Sequence, residues 1–310
     1  MQIIGHQKQL NILNKSIERK RLAHAYLFLG PENVGKFTVA LDLAEKLTGQ
    51  SNQKINADLI IIRPGEDKND GPEDKKPVKS GKTVSQKKEI KVEQIRELQR
   101  QFSFFSEDGK YKVAIIDEAE KLNKQAQNAL LKTLEEPNDF SIIILVAKDD
   151  KKLLPTIISR CQKIKFGPLT ETEIEDWARE KNIFFGKETE KDEIIFWSLG
   201  RPGLILQLIG DKNELEERRK IQVQLENMPS QNLTEKFSLA EEMSKEKETS
   251  RKALGFWIIL LRQSLLKKNN LKISAAKALE IIKEIERSLE IMRDTNSNTR
   301  LVLENLFLKV

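Results

Sequence analysis

The seven residues GPENVGK, from Gly30 to Lys36, constrain the fold of this chain more than any other stretch. The apolar run HAYLFL precedes them, and FTVALDLAEKL, apolar at every third and fourth position, follows. The first reads as a buried strand and the second as an amphipathic helix. A strand that turns through glycines into a helix can aim backbone N–H groups, the positive helix end and a lysine at an anion. Gly30, Pro31, Gly35 and Lys36 are therefore the candidate phosphate-binding residues. The same spacing also arises by chance as a glycine turn beside a solvated lysine. The strand and helix on either side favour phosphate binding, or descent from it.

The next position departs from a magnesium-dependent loop. Phe37 stands where Ser or Thr would offer a hydroxyl to the metal. Thr38 does not replace it, because successive helical residues are rotated by roughly 100°. Nucleotide can bind on the backbone and Lys36, but fast hydrolysis is not expected.

Further strands and helices alternate downstream. ADLIIIR, KVAIIDEAE and SIIILVA read as strands, and VEQIRELQRQF and KQAQNALLKTLEEP as helices, the latter stopped by Pro137. Residues 7 to 21 form an earlier helix with Leu10, Leu13 and Ile17 on one stripe. The alternation predicts a parallel sheet covered by helices on both faces. Residues 64 to 89, rich in Pro, Gly, Lys and Asp, predict a solvated loop. After Phe166 the strand pattern ends, and only helical patterns follow. ALGFWIILLRQSLL is apolar over too wide an arc for a surface helix, which predicts an all-helical core near the C-terminus. The expected units are residues 1–166, an α/β domain; 167–209, a small helical lid; and 210–310, a larger helical domain.

Two further places carry chemistry. Asp117 and Glu118 end an apolar strand, where an aspartate can hold a metal through water and a glutamate can polarise an attacking water. Solvent-facing acids at a strand end are the plainer reading, and the glycine loop upstream favours the functional one. Arg160, in LLPTIISRC, either pairs locally or projects from the domain edge toward a phosphate held by a neighbouring subunit.

Composition excludes several classes. The chain has 310 residues, 38% hydrophobic and 33% charged, with one cysteine and two histidines. An internal disulfide framework and a multi-cysteine or histidine-built zinc site are thereby excluded. No apolar run reaches membrane-spanning length, and MQIIGHQKQL lacks the blocks of a signal peptide, so no membrane association and a cytoplasmic location are expected. The formal charge of +6 tolerates a polyanion without requiring one.

Taken in order, HAYLFLGPENVGK, IKVEQIRELQRQF, KVAIIDEAEKLNKQAQNALLKTLEEP and LLPTIISRCQKIKF resemble the AAA+ clamp-loader family. The likeness covers nearly the whole chain and weakens from about residue 210 to 285, with NALLKTLEEP and SRC its most specific parts. The resemblance implies an AAA+ P-loop domain with a parallel sheet, a helical lid and an all-helical C-terminal collar that joins subunits. Ser159, Arg160 and Cys161 match a subunit-contact motif whose arginine acts in trans on ATP of the adjacent ATPase. Lys36, Asp117 and Glu118 match the two Walker motifs. Lys148 stands at the first sensor, usually Thr or Asn, and Gly203 at the second, usually Arg; Arg201 lies two residues away.

Three catalytic polar groups are thus replaced. The resemblance implies a non-motor subunit that binds ATP or ADP, if at all, with slow or no hydrolysis, and magnesium only alongside nucleotide. Relatives often carry a four-cysteine zinc module, but TGQSNQKINADL has no cysteine, so zinc is not expected. The implied partners are the clamp-loader ATPase subunits, a delta-like subunit, the sliding clamp and primed DNA. Arg96 and Arg100 are candidates for DNA phosphates, and an intrahelical ladder with Glu93 and Glu97 competes with that reading. An ATP-hydrolysing motor subunit is the alternative within the family. A P-loop nucleotide kinase is a rival from another class, but it leaves SRC and the C-terminal helices unexplained.

Overall fold

A computed structural model of the chain describes residues 3–49, 58–65, 89–104, 111–185, 188–266, 273–294 and 297–310. Most of the lysine-rich stretch 64–89 and of the cysteine-free stretch TGQSNQKINADL lies outside the described residues. The chain divides into two units, Met1–Ile209 and Gly210–Val310.

The first unit is built on a five-stranded sheet of β1 (Ala25–Leu29), β2 (Leu59–Ile62), β3 (Lys112–Ile116), β4 (Ser141–Ala147) and β5 (Gln162–Lys165). Its order is β2-β3-β4-β1-β5, and every pairing is parallel. β1 and β4 are buried along their whole length, which accounts for their unbroken apolar sequences. β5 was not expected from sequence. It is an edge strand in which only Ile164 is buried, so QKIK lacks the apolar run that marked its neighbours.

Side chains alternate between two cores. Ala25, Leu27 and Leu29 face one, while Tyr26 and Phe28 face the other. The first core is closed by α3 (Val92–Phe102), α4 (Lys124–Glu135) and α5 (Pro155–Arg160) through Ile95, Leu98, Leu130, Leu134 and Ile157. The second is closed by α1 (Gln7–Glu18) and α2 (Lys36–Thr48). Leu13 of α1 is buried, with Leu10 and Ile17 packed beside it, and the helix stops earlier than its charged tail predicts. Asn123 caps α4 by accepting from the Ala126 N–H.

Helices α6 (Glu171–Glu180), α7 (Glu188–Ser198) and α8 (Pro202–Gly210) complete this part of the chain. The Thr170 hydroxyl accepts from the Glu173 N–H while the Glu173 carboxylate accepts from the Thr170 N–H, which fixes the start of α6.

The α-helices of the second unit are α9 (Lys212–Asn227), α10 (Leu233–Ser244), α11 (Lys247–Leu265), α12 (Ala275–Asp294) and α13 (Thr299–Lys309), and no strand occurs among its described residues. Trp257 of α11 is fully buried, stacks near Phe307 and donates its indole N–H to the Ile221 carbonyl. The wide apolar arc of α11 is met from several sides, with Leu254, Leu260 and Leu261 all buried.

Candidate functional site

The carboxyl ends of the parallel strands gather the chemistry. Gly30 follows β1, Arg63 follows β2, Asp117 follows β3 and Lys148 follows β4. Open α/β sheets bind ligands at this edge. The turn out of β1 needs its glycines. Gly30 has φ 152°, and a Cβ there would meet the Phe166 carbonyl oxygen at 2.1 Å. Gly35 has φ 102° and precedes α2, whose first turn receives no side-chain cap. The uncapped N–H groups suit an anion.

The loop is held from outside. The buried His6 donates from Nε2 to the Val34 carbonyl at 2.8 Å. The Gly203 N–H donates to the Asn33 carbonyl at 3.0 Å, and the Asn33 amide donates to Gln207 at 3.2 Å. Gly203 thus brings the backbone of α8 against the loop. A Cβ at this position would lie 3.1 Å from Asn33 Cβ and 3.2 Å from its carbonyl oxygen. Position 203, expected as the second sensor, is a packing contact, and the Arg201 Nε–H donates to the Ser198 carbonyl at 3.1 Å.

Lys36 is 6% exposed, and its ammonium donates to the carbonyls of Gly30 and Pro31, each at 2.6 Å. Burial lowers its pKa, against the opposing pull of Glu120, Glu32 and Asp117. Burial likewise raises the Asp117 pKa, with the Glu118 N–H, donating to Asp117 Oδ1 at 3.1 Å, and Arg63 acting in the other direction. Glu118 has a left-handed backbone, φ 51°, and its carboxylate pairs with Lys121. Lys148 reaches Glu32 of the loop at 3.4 Å. A cavity of about 1010 Å³ lies over these groups, with Ile4, Val34, Trp177, Ile183 and Leu206 giving it apolar walls. Its size, its apolar walls and the lysines Lys36 and Lys148, set among the carboxylates of Glu32, Asp117, Glu118 and Glu120, leave room for a nucleotide.

Arg63 is the residue that sequence reasoning missed. Its guanidinium carbon lies 4.8 Å from the centroid of the Phe37 ring, and its Nε is 3.7 Å from Asp117 Oδ2. The Gln94 amide donates to the Arg63 carbonyl at 3.1 Å, which ties this strand end to the first turn of α3. The apolar run before Arg63 identifies a strand, but only sheet register brings it to Asp117.

The SRC residues lie elsewhere on the unit. Arg160 closes α5, with Nη1 donating to the Thr156 carbonyl at 3.0 Å and Nη2 lying 2.8 Å from Glu135 Oε1. Ser159 is exposed and donates to Thr156. Cys161 faces the core with Leu130 and Ile157, and burial pushes its thiol up to about 12. Among the DNA candidates, Arg100 pairs with Glu97 at 2.7 Å and Arg96 is exposed on the same helix.

Residues 5–170 match the family model described as DNA polymerase III, delta subunit. The chain belongs to this DNA polymerase III family. It is 34% identical over 180 residues to the DNA polymerase III subunit delta' of Bacillus subtilis, covering 56% of this chain and 51% of that protein. It is also 33% identical over 178 residues to the tau/gamma subunit of Haemophilus influenzae, covering 56% of this chain and 24% of that protein. The matched part thus spans about half, or less, of these curated relatives. A gamma subunit-related protein of Thermotoga maritima aligns over 97% of both chains at 19% identity, with a TM-score of 0.48. The DNA polymerase III relatives are named as subunits, and the parallel α/β P-loop unit with helices beyond it agrees with the family expected from the motifs. Among the described residues no helix is long and apolar enough to cross a membrane, and no group of His, Cys, Asp or Glu is arranged to hold a metal ion.

Proposed function

We propose that this protein is a non-motor, delta-prime-like subunit of the bacterial DNA polymerase III clamp loader. It presents Arg160 to nucleotide held by a neighbouring ATPase subunit. The observation that carries the reading is the division of chemistry between two places. Arg160 sits at the end of a short helix with its side chain one-third exposed, while the chain's own loop carries Phe37 in place of a hydroxyl. A guanidinium delivered in trans stabilises charge on a transferring phosphoryl group. Ser159 and Arg160 form the subunit contact, and Cys161 supports it from the core.

The chain's own loop binds ATP or ADP through Gly30, Pro31, Gly35 and Lys36 and turns it over slowly or not at all. Lys148 at the first sensor, Gly203 at the second and Glu118 paired with Lys121 support that reading. Residues 167–209 act as a lid over the loop. Residues 210–310 form the collar that joins the other subunits, including a delta-like one. In the assembly the subunit contributes to opening the sliding clamp on primed DNA, with Arg96 and Arg100 near the phosphates.

Reconstitution with the partner ATPase subunits tests this division. Arg160→Ala should sharply reduce DNA-stimulated ATPase of the complex, and Lys36→Ala should change it little. Equal, large losses from both changes would instead establish a motor subunit, as would DNA-stimulated ATPase activity of the isolated chain.

A further inference from the structure

Arg63 and Asp117 are neighbours by register. Ile62 pairs with Ile116 in adjacent parallel strands, and each of the two residues follows directly. The Asp117 N–H donates to the Ile62 carbonyl at 2.9 Å, so pairing continues to the edge where the side chains meet. The Arg63 guanidinium then lies over the Phe37 ring at 4.8 Å while its Nε is 3.7 Å from the Asp117 carboxylate.

Phe37 and Asp117 occupy the two positions on which a loop of this kind builds its metal site, and Arg63 lies against both. Magnesium demands oxygen ligands in near-octahedral geometry. Phe37 supplies no oxygen, and Asp117 already faces a fixed positive charge that would repel a second cation. The residues present do not fit magnesium. They do fit a guanidinium, which is weakly hydrated, stacks on an aromatic face and grips phosphate oxygens in a planar fork. The aromatic ring that removes the metal ligand is also the platform that holds the replacement cation.

We propose that Arg63 takes the place of the divalent cation at this loop, making it a metal-independent site for the phosphates of a nucleoside diphosphate or triphosphate. This rests on the reading that the loop binds nucleotide. The Arg63 side chain is 42% exposed, so its Nη groups can take a phosphate oxygen while Nε stays beside Asp117 and the plane stays over Phe37. Lys36 and Lys148, which line the cavity over the loop, add positive charge from α2 and from the end of β4, and Arg63 stands beside them at the end of β2.

Calorimetric titration of the full chain with ADP and ATP, in magnesium and in EDTA, tests the proposal. The wild-type affinity should agree within about twofold between the two conditions, because the cation is covalently present. Arg63→Ala should bind about tenfold more weakly in EDTA, and Arg63→Lys should recover part of that loss, since a point charge lacks the planar fork. The pair Phe37→Thr with Arg63→Ala should bind about tenfold more tightly in magnesium than in EDTA, the metal ligand having been restored. Wild-type binding that collapses in EDTA, or an Arg63→Ala variant with unchanged affinity in EDTA, overturns the role of Arg63 and leaves nucleotide binding intact. Absence of wild-type binding in both conditions overturns the nucleotide reading itself and this role with it.

Discussion

Nη2 of Arg160 lies 2.8 Å from Oε1 of Glu135, joining the last turn of α5 to the last residue of α4. Both side chains are partly exposed, so the pair adds little to stability. It does fix where the guanidinium points. With Nη1 on the Thr156 carbonyl, the arginine is held at two points before any partner arrives. Arg160→Ala should lower turnover at the neighbouring site by about 10³-fold, as loss of a trans arginine does elsewhere. Glu135→Ala should cost about tenfold or less, because the guanidinium remains but is less ordered. The double variant should be no slower than Arg160→Ala alone. Steady-state ATPase of the reconstituted complex measures all three, and additive losses would show that Glu135 acts independently of Arg160.

Placing an arginine at position 203, the expected second sensor, should not create an ATPase. Gly203 packs its backbone on Asn33, and a Cβ would already lie 3.1 Å from Asn33 Cβ. Gly203→Arg should destabilise the protein by about 1–3 kcal/mol through overpacking and yield no ATPase activity. Urea unfolding monitored by circular dichroism reads the first effect.

The turn out of β1 is more demanding still. Gly30→Ala should cost about 3 kcal/mol, because its Cβ would fall 2.1 Å from the Phe166 carbonyl oxygen at φ 152°. The folded fraction in a thermal melt should drop accordingly.

Asp117 gives the fold a pH signature. Burial raises its carboxyl from 3.8, so the fold favours the protonated form. A raised acid contributes stability at pH below 3.8, and that contribution is lost as pH climbs through the folded value. Asp117→Asn should remove this decline and so flatten the dependence of melting temperature on pH above about 4. A variant whose profile is as steep as wild type assigns the decline to other groups.

Cys161 should be inert in the folded protein. A rise from 9.0 to about 12 reduces the thiolate fraction about 1000-fold at pH 8, and burial adds to the protection. Iodoacetamide should label it only after denaturation, as mass spectrometry would show.

Much of the fold was legible because its signals are local. Four strands announced themselves as apolar runs, and α3 occupies the span that its apolar spacing marks. β5 escaped because an edge strand with one buried residue needs no apolar run. That Gly30 and Asp117 lie at the carboxyl ends of strands, and Lys36 at the start of a helix, was legible, since each stands in a recognisable local pattern. Arg63 was not, because nothing within ADLIIIR sets it apart from any charged residue closing a strand.

The sequence by itself determined the alternation of strands and helices, the glycine loop between a strand and a helix, and the absence of a hydroxyl at position 37. Periodicity, glycine placement and side-chain chemistry are properties of short stretches, and each is readable without knowing what lies across the fold. Tertiary structure decided which residues meet. Sheet register set Arg63 beside Asp117, helix packing set Glu135 beside Arg160, and the approach of α8 set Gly203 against Asn33. Such pairings arise from the order of strands and the closing of two cores, which depend on contacts between residues far apart in the chain.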